Sequence, residues 1–181
     1  MTPALSLRLN ALGLLAVSAV LIFAFADQLF LADLPCPLCI LQRAAFVVAG
    51  FGLALNLRFG PRASHYALLL IGALAGAVIA SRQILIHIVP GTGTYGYELL
   101  GLHFYTWAFV VFVVMVLGTA VMLLFDRQFA EDEGSADRLS AFSKVAFVLF
   151  GLLALGNGLS TVLECAGGLC PDNPTGYLLL H

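Results

Sequence analysis

Charge is the scarcest property of this sequence. Only 10% of its 181 residues are Asp, Glu, Lys or Arg, 61% are hydrophobic, and the mean hydropathy is +1.03. A soluble domain of this size needs more polar surface than that, so the chain is read as an integral membrane protein. A basic excess is also missing. The net charge of -2 removes the electrostatic case for nucleic acid. There is no internal repeat and no low-complexity run. Cysteine is scarce too: the four present form two close pairs, Cys36/Cys39 and Cys165/Cys170. An even count in this arrangement fits two redox couples, two staples or one metal site.

What the sequence does contain is a set of long apolar stretches. A spanning helix needs roughly 20 mostly apolar residues, and five segments qualify, at about 9–31, 38–57, 66–89, 104–125 and 145–163. The second carries Gln42 and Arg43 in its first turns, the third carries Arg82 and Gln83 near its end, and the fourth has no charge. The fifth is interrupted only by Asn157, Ser160 and Thr161. Polar loops lie at 58–65 and 126–144, and the acidic run at 130–137 reads as solvated loop. A glycine-rich segment at 90–103 reads as a mobile loop near the interface. The expected fold is an all-α membrane protein, one integral domain over residues 1–181. It consists of a four-helix transmembrane bundle plus a fifth, C-terminal transmembrane helix.

Orientation follows the cations. Arg8, Arg58, Arg62, Arg127, Arg138 and Lys144 lie on one side, and only Arg43 and Arg82 lie toward the other, both inside helix ends. This puts the N-terminus in the cytoplasm and, after five spans, the C-terminus outside. Both cysteine pairs then fall on the outer side, which in a bacterium is the oxidising periplasm. The small-residue stretch Ala24–Asp27 after the first apolar run also resembles a signal-peptide cleavage site. Cleavage there would leave four spans with Cys36/Cys39 still outside. The apolar character continues past that site, which favours retention as a span.

The first pair sits where the second span begins, with Pro35 and Pro37 in positions that a helix start tolerates. Free N–H groups and the positive end of the helix dipole stabilise a thiolate there, the reactive form of cysteine. Arg43 follows Cys39 by four residues and shares its helix face. Its cation can stabilise a Cys39 thiolate or hydrogen-bond an anionic ligand, and an arginine inside a span points to function. A Cys-x-x-Cys ring is too small to gain much loop-closure entropy, so it is a poor staple. A four-cysteine zinc site has a plausible ligand number but no redox logic at a membrane, and no metal is expected.

The second pair brackets Ala-Gly-Gly-Leu, which lets the chain turn back far enough to close a disulfide. Glu164 beside Cys165 makes Cys170 the better leaving thiolate. Arg82 reads equally as functional or as snorkelling to the headgroups. His87 and His103, at the outer boundary, are candidates to relay a proton. Tyr105 and Trp107 read as an aromatic belt, and Asn157 reads as interhelical glue.

Taken together, "PCPLCILQR" (35–43), "GAVIASRQILIHIVP" (76–90) and "LLGLHFYTWAFVVF" (99–112) resemble the disulfide bond formation protein B (DsbB) family over about residues 10–125. The resemblance implies a bacterial inner-membrane thiol:quinone oxidoreductase with a four-helix bundle and a quinone at its outer end. Such an enzyme reoxidises a periplasmic DsbA-like thiol oxidase and passes electrons to ubiquinone or menaquinone of the membrane pool. It implies Cys36 as the cysteine open to exchange, Cys39 as the thiolate against the quinone, and Arg43 on a quinone carbonyl. Arg82 and His87 join these as expected cofactor-binding residues. Cys165 and Cys170 then complete the catalytic set as a relocated second pair, because the outer loop that holds this pair in the family has no cysteine here.

Three rivals remain. An electron transporter across the bilayer needs an inner or midplane cysteine, and the sequence has none. A reductase of the vitamin K epoxide type places its pair late in the bundle. A scaffold with two structural disulfides needs no chemistry at all. Thiol trapping across a redox titration separates the scaffold from an enzyme: catalytic disulfides are expected to open at higher potential, while structural ones resist reduction by a glutathione buffer.

Overall fold

The computed structural model describes all residues except 32, 90, 92, 94–97, 130–139 and 181. Arg138 and the acidic run lie outside the described residues. Five helices are long and apolar enough to cross a membrane: α1 (Pro3–Phe30), α2 (Pro37–Phe59), α3 (Ala63–Ile86), α4 (Phe104–Leu123) and α5 (Ala141–Cys165). The chain is thus a multi-pass helical membrane protein.

The helix ends follow local chemistry. Thr2 caps α1 by accepting from the Leu5 N–H at 3.3 Å, which starts the helix at Pro3, ahead of the apolar run. Ser140 caps α5 in the same way through Ser143, at 3.2 Å. At its far end α5 extends to Cys165, so this cysteine belongs to the last turn of a spanning helix. α3 stops at Ile86, short of the expected Val89. Part of the segment read as a mobile loop is an antiparallel hairpin, β1 (Glu98–Leu99) and β2 (Leu102–His103), turning through Leu100 and Gly101, both at positive φ.

The helices form an arc. α2 packs between α1 and α3, α4 packs on α3, and α5 lies against α1 and the edge of α2. α1 and α4 meet in an edge-to-face contact of Phe23 with Phe104, ring centroids 5.0 Å apart, with little further packing between them. In lipid there is no hydrophobic drive between helices, so close backbone approach has to supply the association. Gly72 of α3 provides it against α2: a Cβ there would lie 2.5 Å from the Ala49 backbone nitrogen. Gly50 leaves room for the Phe150 ring of α5 in the same manner.

The end of the bundle that holds the N-terminus is tied by a buried polar cluster. Ser6 and Tyr66 hydroxyls both donate to Gln128 Oε1 at 2.9 Å, Asn10 donates to the Tyr66 oxygen at 2.9 Å, and Asn56 donates to Asn10 at 2.8 Å. Gln128, in a 3₁₀ turn at Asp126–Phe129, donates in turn to the Met122 carbonyl. Every one of these groups is buried and partnered, as an apolar surround requires.

A matched pair of substitutions tests the packing. Gly72→Ala is expected to destabilise the protein by about 1–3 kcal/mol through overpacking. Gly118→Ala, on α4 with nothing within 4 Å of the added methyl, should cause no loss. Thermal unfolding in detergent distinguishes the two.

Candidate redox site

The site is built from the start of α2. Cys36 is its N-cap, extended at φ -64°, ψ 161°, and its sulfur accepts the Cys39 N–H at 3.2 Å. Pro37 follows in the first turn, where its missing N–H and fixed φ do no harm. Cys36 and Cys39 form a disulfide with Cα atoms 5.0 Å apart. Gln83 of α3, fully buried, places its amide nitrogen 3.5 Å from the Cys36 sulfur and 3.6 Å from that of Cys39. Its carbonyl oxygen accepts from Gln42 at 2.7 Å, which fixes the amide so that its donor faces the disulfide.

Beside the disulfide lies a cavity of about 340 Å³. Cys36, Cys39, Arg43 and Gln83 supply its reactive and polar side, and Phe46, stacked on Phe112 with centroids 3.9 Å apart, supplies an apolar wall. α1 and α4 close the flanks, and Asp27 and Asp33 also line it. Arg43 is the one cation among the lining residues. Its guanidinium donates to Gln28 Oε1 at 2.6 Å and to the Ala24 carbonyl at 2.9 Å. Gln28 in turn donates to Ser160 of α5 and to the Tyr177 hydroxyl, each at 2.8 Å. The fifth helix and the tail therefore reach the far side of the arginine that lines the cavity.

Cys165 and Cys170 form the second disulfide, Cα atoms 4.5 Å apart, in the stretch just past α5. Ala166 and Gly167 turn the chain at positive φ, and the Gly168 N–H donates to the Cys165 carbonyl at 2.8 Å. The tail then returns, with Leu178 and Leu179 N–H groups donating to the carbonyls of Glu164 and Leu163. Cys165 is 4% exposed, Cys170 is half-buried, and the neighbouring Leu169 is 98% exposed. The accessible sulfur is that of Cys170, whereas the sequence favoured Cys170 as the leaving group. Burial is also reversed in the first pair: Cys36 is 4% exposed and Cys39 is the more accessible, because the N-cap sulfur is turned inward onto Gln83.

The structure thus brings Cys36, Cys39 and Arg43 to one cavity, and places the second disulfide at the same end of the bundle. It does not bring Arg82 there. That side chain is exposed and outside the cavity lining, one position round the helix from Gln83. His87 lies outside the lining as well. Its Nδ1 is 2.8 Å from the Gln83 carbonyl and its ring stacks on Tyr105 at 5.5 Å, with His103 against the same tyrosine at 5.2 Å. Tyr105 and Trp107 line the cavity rather than forming only a belt, and Trp107 donates to the Leu99 carbonyl at 2.9 Å. Asn157 donates to Leu153 of its own helix at 2.9 Å.

Sequence reasoning overlooked Gln83 and Gln28 as parts of the site. A signal for Gln83 was present: Gly72, Gly76 and Ala80 recur at helical spacing and mark the packed face, and Gln83 continues that face while Arg82 leaves it. Gln83→Leu is expected to make the Cys36–Cys39 couple more reducing, because the dithiol loses a donor to its sulfurs. A net hydrogen bond of about 1 kcal/mol corresponds to roughly fivefold in the thiol–disulfide equilibrium. Arg82→Gln should leave that equilibrium unchanged; quantitative thiol alkylation in defined redox buffers reads both.

Comparison with known sequences adds an independent line. The family model described as Disulfide bond formation protein DsbB matches residues 6–94. Disulfide bond formation protein B of Xanthomonas euvesicatoria pv. vesicatoria (strain 85-10) is 39% identical over 84 residues, 44% of this chain and 49% of that protein. The protein of the same name from Nitrosomonas eutropha (strain DSM 101675 / C91 / Nm57) is 36% identical over 73 residues, 38% of this chain and 45% of that protein. The chain spans about half the length of the curated relatives it matches. No solved structure matches it. The match runs from α1 through α3, so the part of this chain that carries Cys36, Cys39, Arg43 and Gln83 is similar to the DsbB family.

Proposed function

We propose that this protein is a membrane thiol:quinone oxidoreductase of the bacterial inner membrane. In this reading it reoxidises a periplasmic DsbA-like thiol oxidase and so supports disulfide bond formation. The N-terminus is cytoplasmic and the C-terminus periplasmic. The observation that carries the reading is the sharing of one cavity by a disulfide at a helix N-terminus and a cation one turn deeper.

The cavity suits a quinone ring. Its volume of about 340 Å³ is at the small-molecule scale, and its lining is apolar with a few convergent polar groups. Arg43 has N–H groups beyond the two committed to α1 and would hold a carbonyl oxygen. A quinone bound there supplies a two-electron, two-proton acceptor.

The chain's own residues provide the thiol chemistry. A thiolate of the partner attacks the accessible Cys170 sulfur, forms a mixed disulfide and releases Cys165 as thiolate. The partner's second thiol attacks that mixed disulfide, closing the partner's disulfide and leaving Cys165 and Cys170 reduced. These two reduce Cys36–Cys39 by the same exchange and close their own disulfide again. Two electrons then reside on Cys36 and Cys39. The helix N-terminus, the Gln83 amide and Arg43 all favour a thiolate at that point.

Quinone-dependent oxidation of a reduced thioredoxin-fold oxidase by purified protein tests the function. Cys36→Ser or Cys39→Ser should reduce the rate to background; a normal rate in either variant sinks the reading. For the outer pair, a reduced partner lacking its second cysteine is expected to attack the intact Cys165–Cys170 disulfide and stay trapped as a mixed disulfide through Cys170, with little linked through Cys165. Non-reducing gels with mass mapping of the linked peptides decide between the two sulfurs.

A further inference from the structure

Arg43 shares its cavity with two carboxylates, Asp27 and Asp33, and pairs with neither: among the described residues no carboxylate lies within ion-pair distance of the guanidinium. Its two acceptors are neutral, the Gln28 amide oxygen at 2.6 Å and the Ala24 carbonyl at 2.9 Å. A carboxylate partner would offset the charge, whereas a neutral acceptor holds the side chain and leaves the charge available. What holds Gln28 comes from the C-terminal part of the chain. The residue is buried, and its amide N–H groups are engaged by the Ser160 and Tyr177 hydroxyls, each at 2.8 Å. A flipped amide would set its N–H groups against those of Arg43. Ser160 does not act alone on α5. Gly156, four residues earlier and so on the same face, leaves room for the Phe25 ring, and Arg43 Cζ lies 5.9 Å from the centroid of that ring. Tyr177 belongs to the tail that returns to the last turn of α5. Gln28, Ser160 and Tyr177 do not line the cavity.

We propose that Gln28, Ser160 and Tyr177 are positioning residues for Arg43: they hold the guanidinium on α1 by neutral contacts and so keep it off Asp27 and Asp33, with its charge free for the cavity. The inference rests on the proposed thiol:quinone reading, in which that charge favours the Cys39 thiolate and holds a ligand carbonyl. Released from Gln28, the guanidinium would turn to the carboxylates of its own cavity, since an arginine inside a span takes charged partners where it can reach them. Its charge would be compensated there, and the thiolate would lose support. Ser160 and Tyr177 are neutral, so they act on the sulfurs only through this chain of contacts. The fifth helix then conditions the first redox pair as well as presenting the second.

The test uses the full-length protein in detergent, equilibrated in glutathione buffers at neutral pH, with the Cys36/Cys39 pair quantified by alkylation and mass spectrometry. Arg43→Gln sets the scale: it should favour the disulfide by about tenfold, the size of one contact to a charged group. Gln28→Leu is expected to shift the couple the same way by about fivefold, and Ser160→Ala with Tyr177→Phe by about threefold, as partial losses of that contact. Both shifts should vanish in an Arg43→Gln background. They should vanish also in an Asp27→Asn, Asp33→Asn background, where no cavity carboxylate is left to capture the guanidinium. A couple unmoved by the Ser160→Ala, Tyr177→Phe change overturns the proposal. So does a shift that persists undiminished in either background, which marks a general loosening of the bundle. If Gln28→Leu does not fold, the Ser160→Ala, Tyr177→Phe protein, which loses only two hydroxyl groups, decides. No quinone enters this titration, so failure of quinone reduction by the parent protein would strike the functional reading without altering the thiol result.

Discussion

The anchoring of one guanidinium organises the half of the molecule that holds the two disulfides. An arginine at this depth must find acceptors inside the protein, and Arg43 finds two on α1, the Gln28 amide oxygen and the Ala24 carbonyl. Gln28 can hold its oxygen toward Arg43 because its nitrogen is engaged by Ser160 and Tyr177. One cation thereby fixes the relation of α1 to α2 and recruits α5 and the tail to the same assembly. The cavity opens on the other side of this anchor, where the remaining capacity of the guanidinium faces Cys39 and the aromatic wall.

The two ends of the bundle treat polar groups differently. At the end away from the disulfides Ser6, Asn10, Asn56, Tyr66 and Gln128 exchange hydrogen bonds among themselves and with the backbone, so that each of these side chains is partnered. Such a saturated network rigidifies. At the end that holds the disulfides both Glu164 oxygens and the Nδ1 of His103 are buried without partners, while the first pair's sulfurs accept the Cys39 N–H and the Gln83 amide. The bundle is saturated at the end away from the disulfides and unsaturated beside them.

Much of this was legible in the sequence, for identifiable reasons. Bilayer thickness makes long apolar runs declare themselves, so the five helices could be read with their approximate limits. Four spans, an even number, separate the two cysteine pairs and so place both at one end. Cys39 and Arg43 share a face because four residues is nearly one helical turn. Choices of about 100° around a helix axis were only partly legible. Arg82 and Gln83 are adjacent and both polar, and the small-residue face of Gly72, Gly76 and Ala80, whose Gly72 packs on Ala49, is the one cue to which of them faces the disulfide. Tyr105 and Trp107 look alike in a belt or in a cavity wall until the hairpin at 98–103 is in place. The burial of Cys36 and Cys165 relative to their partners is a tertiary property, set by Gln83 in one case and by the returning tail in the other.

The arc of helices leaves α1 and α4 facing each other with their main contact at the end that holds the disulfides, between Phe23 and Phe104. Below it the flanks are made of Ala19, Val20, Ala108 and Val111, all small or aliphatic. A lipid-soluble molecule with a reactive head and a long hydrocarbon chain could pass its chain through such a slot and leave it among the acyl chains. The protein would then recognise the head alone, and chain length would govern how much of the molecule the membrane stores rather than how tightly it is held. Discrimination among such molecules would fall to ring substituents meeting Phe46, Tyr105 and Arg43, and occupancy would follow their concentration in the bilayer.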